Sequence, residues 1–168
     1  MVAFAKIENE LERQAIELPS WAFANTGTRF RVFHSEGTPR NTFEKISDAA
    51  QVHHFTGLAP SVALHIPWDE VDDFAELKSH AQNLGVSIGT INSNTFQDER
   101  YKFGSLSSRD SKVRDLAIDH HYRCIEIMHS TGSRDLKIWL ADGTNYPGQD
   151  DLLRRQENLA DSLSKIYS

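Results

Sequence analysis

The chain has 168 residues, of which 39% are hydrophobic, enough for one modest core at roughly 100–200 residues per domain. Eighteen Lys and Arg against 24 Asp and Glu give a net charge of −6, and no basic run offers the footprint that a nucleic-acid backbone requires. No apolar run approaches the roughly 20 residues that span a bilayer, Cys124 is the sole cysteine, and MVAFAKIENE lacks the pattern of a secretory leader, so a soluble chain in the reducing cytoplasm is expected.

Residues 3–15 read as a short polar helix, and Ile16–Phe23 as a first strand interrupted by Pro19. A long loop follows. Thr38-Pro39 offers a helix start, Phe43, Ile46 and Ala50 lie along one face, and Gly57 is a natural stop. Val62–Ile66 forms the second strand, and Asp69 is a candidate cap for a helix marked by Phe74, Leu77, Ala81 and Leu84. Val86–Ile91 is the third strand. Ser107 or Ser108 caps a long helix whose apolar positions run from Val113 to Met128, and Gly132 ends it. Leu136–Ala141 is the fourth strand, and Leu152, Leu159, Leu163 and Ile166 mark the last helix. Strands alternating with helices imply a parallel sheet with helical crossovers. An open doubly wound sheet wants a glycine-rich phosphate turn joined directly to a helix. Asn25-Thr26-Gly27-Thr28 lies too far from the helix at Thr38 to serve, which favours a barrel.

In parallel α/β folds the ligand sits at the carboxyl ends of the strands, where His65, Trp68, Asn92, Asn94, Phe96, Trp139 and Asp142 fall. Histidine, tryptophan and amide side chains gathered there suit a polyhydroxylated ligand. His65 can donate to and accept from sugar hydroxyls, with Asp69 able to hold its other nitrogen, and this reading is preferred to that of a buried, satisfied histidine. Asn92 to Thr95 can be a plain turn, whereas Phe96 in a polar loop wants burial in the core, against a ligand or against another subunit. Trp139 offers an aromatic face to sugar C–H groups, and Asp142 suits hydroxyls or a metal, although without the other motifs a core tryptophan followed by an Asp-Gly turn would be the preferred reading. His53-His54 and His120-His121 fall within helices, where neighbours diverge, and read as surface or rim residues.

The segments PSW at 19–21, GTRF at 27–30, LHIPWD at 64–69, NSNTF at 92–96, YKFGSLS at 101–107, CIEI at 124–127 and WLADGTNYPGQ at 139–149 resemble, in order, the L-rhamnose isomerases of the xylose isomerase-like superfamily. The resemblance implies a (β/α)8 TIM barrel, an aldose–ketose isomerase (an intramolecular oxidoreductase) interconverting L-rhamnose and L-rhamnulose, a divalent metal such as Mn2+, and a homo-oligomer, commonly a tetramer. It further implies that Trp21, His65, Trp68 and Trp139 line the sugar pocket, that Phe96 is an aromatic of its wall, and that Phe30 reaches the neighbouring subunit's site. Ala22 and Ala24 stand where the family often carries glycine.

A complete barrel needs about 250 residues, so residues 1–168 are expected to form one partial domain, the N-terminal half with four β/α units. The family's metal ligands come from later strands. No metal ligand or confident catalytic residue is therefore assigned in this chain, and the chain by itself is expected to be inactive. The alternative from another class is a non-catalytic α/β sugar- or phosphate-binding module.

Overall fold

The computed structural model describes residues 4–27, 31–143 and 150–168. The elements alternate as the sequence pattern requires. Helix α1 (Phe4–Glu12) precedes strand β1 (Glu17–Pro19), and the pair β2 (Thr26–Gly27) and β3 (Val32–Phe33) is antiparallel. Then come α2 (Thr42–Thr56), β4 (Ser61–Ile66), α3 (Phe74–Asn83), β5 (Ser87–Ser93), α4 (Ser111–Thr131), β6 (Leu136–Ile138) and α5 (Leu152–Tyr167). The main sheet has the order β1-β4-β5-β6. The chain divides into two compact units, one of residues 1–64 and 69–89, the other of residues 65–68 and 90–168.

In the first unit β1 pairs in parallel with β4, Leu18 facing Val62, and the Ser87 amide donates to the Pro60 carbonyl as β5 begins. Helix α2 starts on Asn41, whose side chain accepts from the Glu44 amide, and stops at Gly57, whose φ of 70° suits a residue without Cβ. It packs on α3 and buries Ile46, Ala49 and Ala50, while Leu77 and Ala81 form the buried stripe of α3. Asp69 is not the cap of α3. That place belongs to Asp73, which accepts from the Ala75 and Glu76 amides. Asp69 is instead fully buried, bonded by Ser20 Oγ and by Lys45 Nζ at 2.7 Å.

In the second unit β5 pairs in parallel with β6, Asn92 facing Lys137. The Asn94 amide reaches the Ile66 carbonyl at the end of β4. Helix α4 is capped by Asp110, not by Ser107 or Ser108, and ends at Gly132. Leu106, Ala117 and Ile118 form a core against which Tyr101, Ile138, Leu159, Leu163 and Ile166 pack. Helix α5 adds a polar spine beside its leucines. Arg155, Asn158 and Ser162 are buried, and Asn158 Nδ2 and Ser162 Oγ donate to the carbonyls of Ser108 and Leu106. These bonds fasten α5 to loop carbonyls, of which that of Ser108 also accepts from Arg114 Nη1 at 2.7 Å.

The expected strands thus form, with two corrections. The first is shorter than Ile16–Phe23, because Pro19 has no amide for the ladder and residues Ser20–Phe23 close into a 3-10 turn. The fourth ends at Ile138, so Trp139 lies just beyond it. Ala24 has φ −89°, and no residue other than glycine has positive φ among the described residues, so alanine fits this loop.

Candidate functional site

Four of the expected sugar-pocket residues belong to the second unit, and they meet. His65, one residue before the end of β4, is buried. Pro67 follows through a cis peptide bond, and the indole of Trp68 stacks on the His65 ring with centroids 3.8 Å apart and planes 16° from parallel. Phe96, in the loop after β5, meets His65 edge-on at 6.0 Å and Trp139 at 5.4 Å. Such geometries are those in which aromatic quadrupoles attract. Trp139 keeps 65% of its surface exposed and Trp68 43%, so the cluster presents aromatic surface outward.

The loop after β5 is built by its own amides. Asn94 Oδ1 accepts from the Phe96 and Gln97 backbone amides at 3.4 and 3.2 Å, a turn that places Phe96. Gln97 Oε1 accepts from Asn94 Nδ2 at 2.8 Å and from Trp68 Nε1 at 2.6 Å. Sequence reasoning missed Gln97. Its only sequence signal is its place at the end of an amide-rich run.

The pair His120-His121 corrects a second expectation. His121 is fully buried, not a surface residue: Nδ1 lies 2.6 Å from the Ala117 carbonyl and Nε2 3.0 Å from Ser93 Oγ. A carbonyl only accepts, so Nδ1 carries the proton and Nε2 accepts from the serine. Burial pushes the His121 imidazole below its ordinary pKa. His120, half-buried, accepts the Asn94 amide on Nε2 at 3.1 Å. Nearby, the side-chain bond from Arg100 holds the exposed Asp98 down at a pKa of about 2.

Asp142 is not directed to a hydroxyl or a metal by its bonds. Its carboxylate accepts from the Ser105 and Ser107 amides, both at 2.8 Å, and from Ser105 Oγ at 2.6 Å, and Arg155 donates to its carbonyl. Arg155 also donates to Asp150 at 2.6 Å, so the cluster ties α5 to the 105–107 loop. Asn92, buried in β5, belongs to the same unit as the aromatic cluster. Trp21 lies in the 3-10 turn of the first unit, 37% exposed, and Phe30 lies outside the described residues. Among the described residues no three His, Cys, Asp or Glu side chains gather to hold a metal ion. The residues in view therefore do not fit the manganese of the resemblance, and no step is derived through it.

The parallel strands, helical crossovers and aromatic cluster at the strand ends define an α/β chain with the architecture of the N-terminal half of a xylose isomerase-like TIM barrel. Solved structures with this fold include D-psicose 3-epimerase from Clostridium cellulolyticum H10 (TM-score 0.59, 13% identity, covering 90% of this chain and 46% of that one) and an L-ribulose 3-epimerase (TM-score 0.57, 16% identity, 92% and 46%). A family 2 AP endonuclease from Brucella melitensis shares it as well, with a TM-score of 0.59 at 10% identity over 91% of this chain and 50% of that one. Likeness at such identities concerns the fold alone.

In sequence, the chain is 41% identical over 167 residues to a protein of Rhizobium meliloti named "Probable sugar isomerase", covering 96% of this chain and 39% of that protein. It is likewise 41% identical over 172 residues to one of the same description from Mesorhizobium japonicum, covering 99% and 40%. The chain thus spans about two fifths of the length of these curated relatives. No family model matches it. Both sequence relatives are named as probable sugar isomerases, and neither name specifies L-rhamnose.

Proposed function

We propose that this chain supplies the sugar-orienting wall of an isomerase acting on a free monosaccharide, with the exchange of L-rhamnose and L-rhamnulose as its particular reaction. The observation that carries the reading is the contiguous contact of His65, Trp68, Phe96 and Trp139 at the ends of parallel strands. A pyranose or open-chain sugar presents C–H surfaces and hydroxyls at once. The faces of Trp68 and Trp139 suit the first, and the imidazole of His65 suits the second.

Aldose–ketose exchange moves a hydrogen between C1 and C2, and the rate depends on holding the chain of the sugar in a reactive conformation. Binding and orientation are what these residues contribute. In this reading Trp21 is a further sugar-binding residue, the protein is a homo-oligomer in which Phe30 serves a neighbouring subunit, and the setting is the cytoplasm. The curated relatives favour this reading over a non-catalytic binding module, because they are named for sugar isomerisation.

Titration calorimetry with L-rhamnose, D-allulose and D-tagatose, beside a ketose assay, tests it. L-rhamnose should bind, and Trp139→Ala should weaken that binding about tenfold, the loss of one ring face at ~1 kcal/mol or somewhat more. Equal affinity in wild type and Trp139→Ala would defeat the reading.

A further inference from the structure

The aromatic contact between His65 and Trp68 needs something to hold it. Trp68 is 43% exposed in a short turn, and a stacked pair contributes only about 0.5–1.5 kcal/mol beyond burial, comparable to thermal reorientation of an exposed ring. The indole has one polar atom, Nε1, which only donates. Its partner is Gln97 Oε1 at 2.6 Å, and the same oxygen accepts Asn94 Nδ2 at 2.8 Å. Two donors converging on one oxygen fix that oxygen in place. The backbone beneath it is fixed too, since Asn94 Oδ1 accepts the Gln97 amide and the Asn94 amide is held by Ile66 and His120.

We infer that Gln97 is a positioning residue that locks the Trp68 indole flat on His65 and so sets the shape of the sugar wall. This rests on the functional reading above for its consequence, though not for its geometry. One four-residue turn then places two parts of the wall in opposite ways. Phe96 enters it directly, whereas Gln97 stays exposed and acts through Trp68. Trp68, Asn94 and Gln97 also line a cavity of about 380 Å3, from which water can take over the indole N–H once the glutamine oxygen is gone. Replacing Gln97 should therefore leave folding nearly intact and change orientation.

The test uses Gln97→Met, which removes the acceptor at similar length, and Gln97→Glu, which keeps an oxygen for both donors. The indole N–H resonance of Trp68 is identified by its disappearance in Trp68→Phe. Gln97→Met should shift that resonance and hasten its solvent exchange, and should weaken L-rhamnose binding about threefold to tenfold, the range of one net hydrogen bond. Gln97→Glu should restore both. The inference is overturned if the resonance is the same in Gln97→Met, if it shifts while sugar affinity stays unchanged, or if Gln97→Glu behaves as Gln97→Met. A wild-type chain that binds no sugar defeats the functional reading instead, and the indole resonance still decides whether Gln97 holds Trp68.

Discussion

The sharpest stability prediction concerns Lys45 and Asp69. The Asp69 carboxylate is fully buried and the Lys45 side chain is 12% exposed, with 2.7 Å between Nζ and Oδ1. Breaking a buried pair by removing one partner leaves an uncompensated charge, which costs about 3–5 kcal/mol. Lys45→Met should therefore lose about that much, or roughly 6–20 °C of melting temperature at about 2–4 °C per kcal/mol for a chain of this size. Asp69→Asn keeps an oxygen for Ser20 Oγ and leaves a lysine that can turn toward water, so it should cost less, about 1–3 kcal/mol. In the double variant nothing is left unpaired in charge. Its loss should fall short of the sum of the singles by at least about 1.5 kcal/mol, within the range for groups in direct contact. Urea melts of the four proteins at neutral pH measure the cycle. Arg123→Ala is the internal control: Arg123 and Glu126 are 3.3 Å apart with side chains 46% and 69% exposed, and exposed pairs contribute about 0–1 kcal/mol. Singles that add to within about 0.5 kcal/mol would show that Lys45 and Asp69 do not depend on each other.

Three further outcomes are expected. Burial lowers the pKa of His121, so the unfolded chain takes up a proton that the folded chain refuses: the contribution is full above pH about 6.5 and is lost as pH falls through that value, at up to about 1.4 kcal/mol per unit. Wild type should accordingly lose stability against His121→Gln between pH 7.5 and 5.5 in denaturant melts, and a constant difference would contradict this. Gly104 has φ +107° and its site for a Cβ lies 2.7 Å from the Arg155 guanidinium and 3.3 Å from Ser107 Oγ, so Gly104→Ala should cost about 1–3 kcal/mol in thermal melts, whereas a neutral change would mean the loop relaxes freely. Manganese titrated into the chain in a calorimeter should give no saturable isotherm, since no triad of ligands gathers among the described residues, and a stoichiometric one would refute that.

Sequence pattern reached the strand–helix alternation because β4 and β5 are short apolar runs, each preceded by a glycine of positive φ, Gly57 or Gly85, just past the end of the helix before it. It misplaces the N-terminal caps of α3 and α4, while Gly57 and Gly132 end α2 and α4 as expected. Ser107 or Ser108 is the expected cap at the start of α4, whereas Asp110, closer to the first turn, offers an acceptor that the macrodipole also favours. His65, Trp68, Phe96 and Trp139 come into contact because strand ends share one edge of a parallel sheet. Asp142 misled because an Asp-Gly pair reads the same whether its carboxylate faces a ligand or bonds to the 105–107 loop, a partner 35 or more residues away. Buried histidines are equally opaque, since hydropathy counts them polar and one of the two partners of His121, Ser93, lies 28 residues earlier.

Two adjacent residues of α4 grip the last residue of β5 and the one after it, His121 at the Ser93 hydroxyl and His120 at the Asn94 amide. Side chains one apart on a helix diverge, so the strand end is held along two directions by one turn. The segment that carries Phe96 and Gln97 is thus a fixed jaw. It can swing only if α4 rotates or slides with it, which costs both bonds together. Exchange of the Asn94 amide with solvent deuterium should then track the opening of the whole second unit, not the fast local flutter usual for a polar loop.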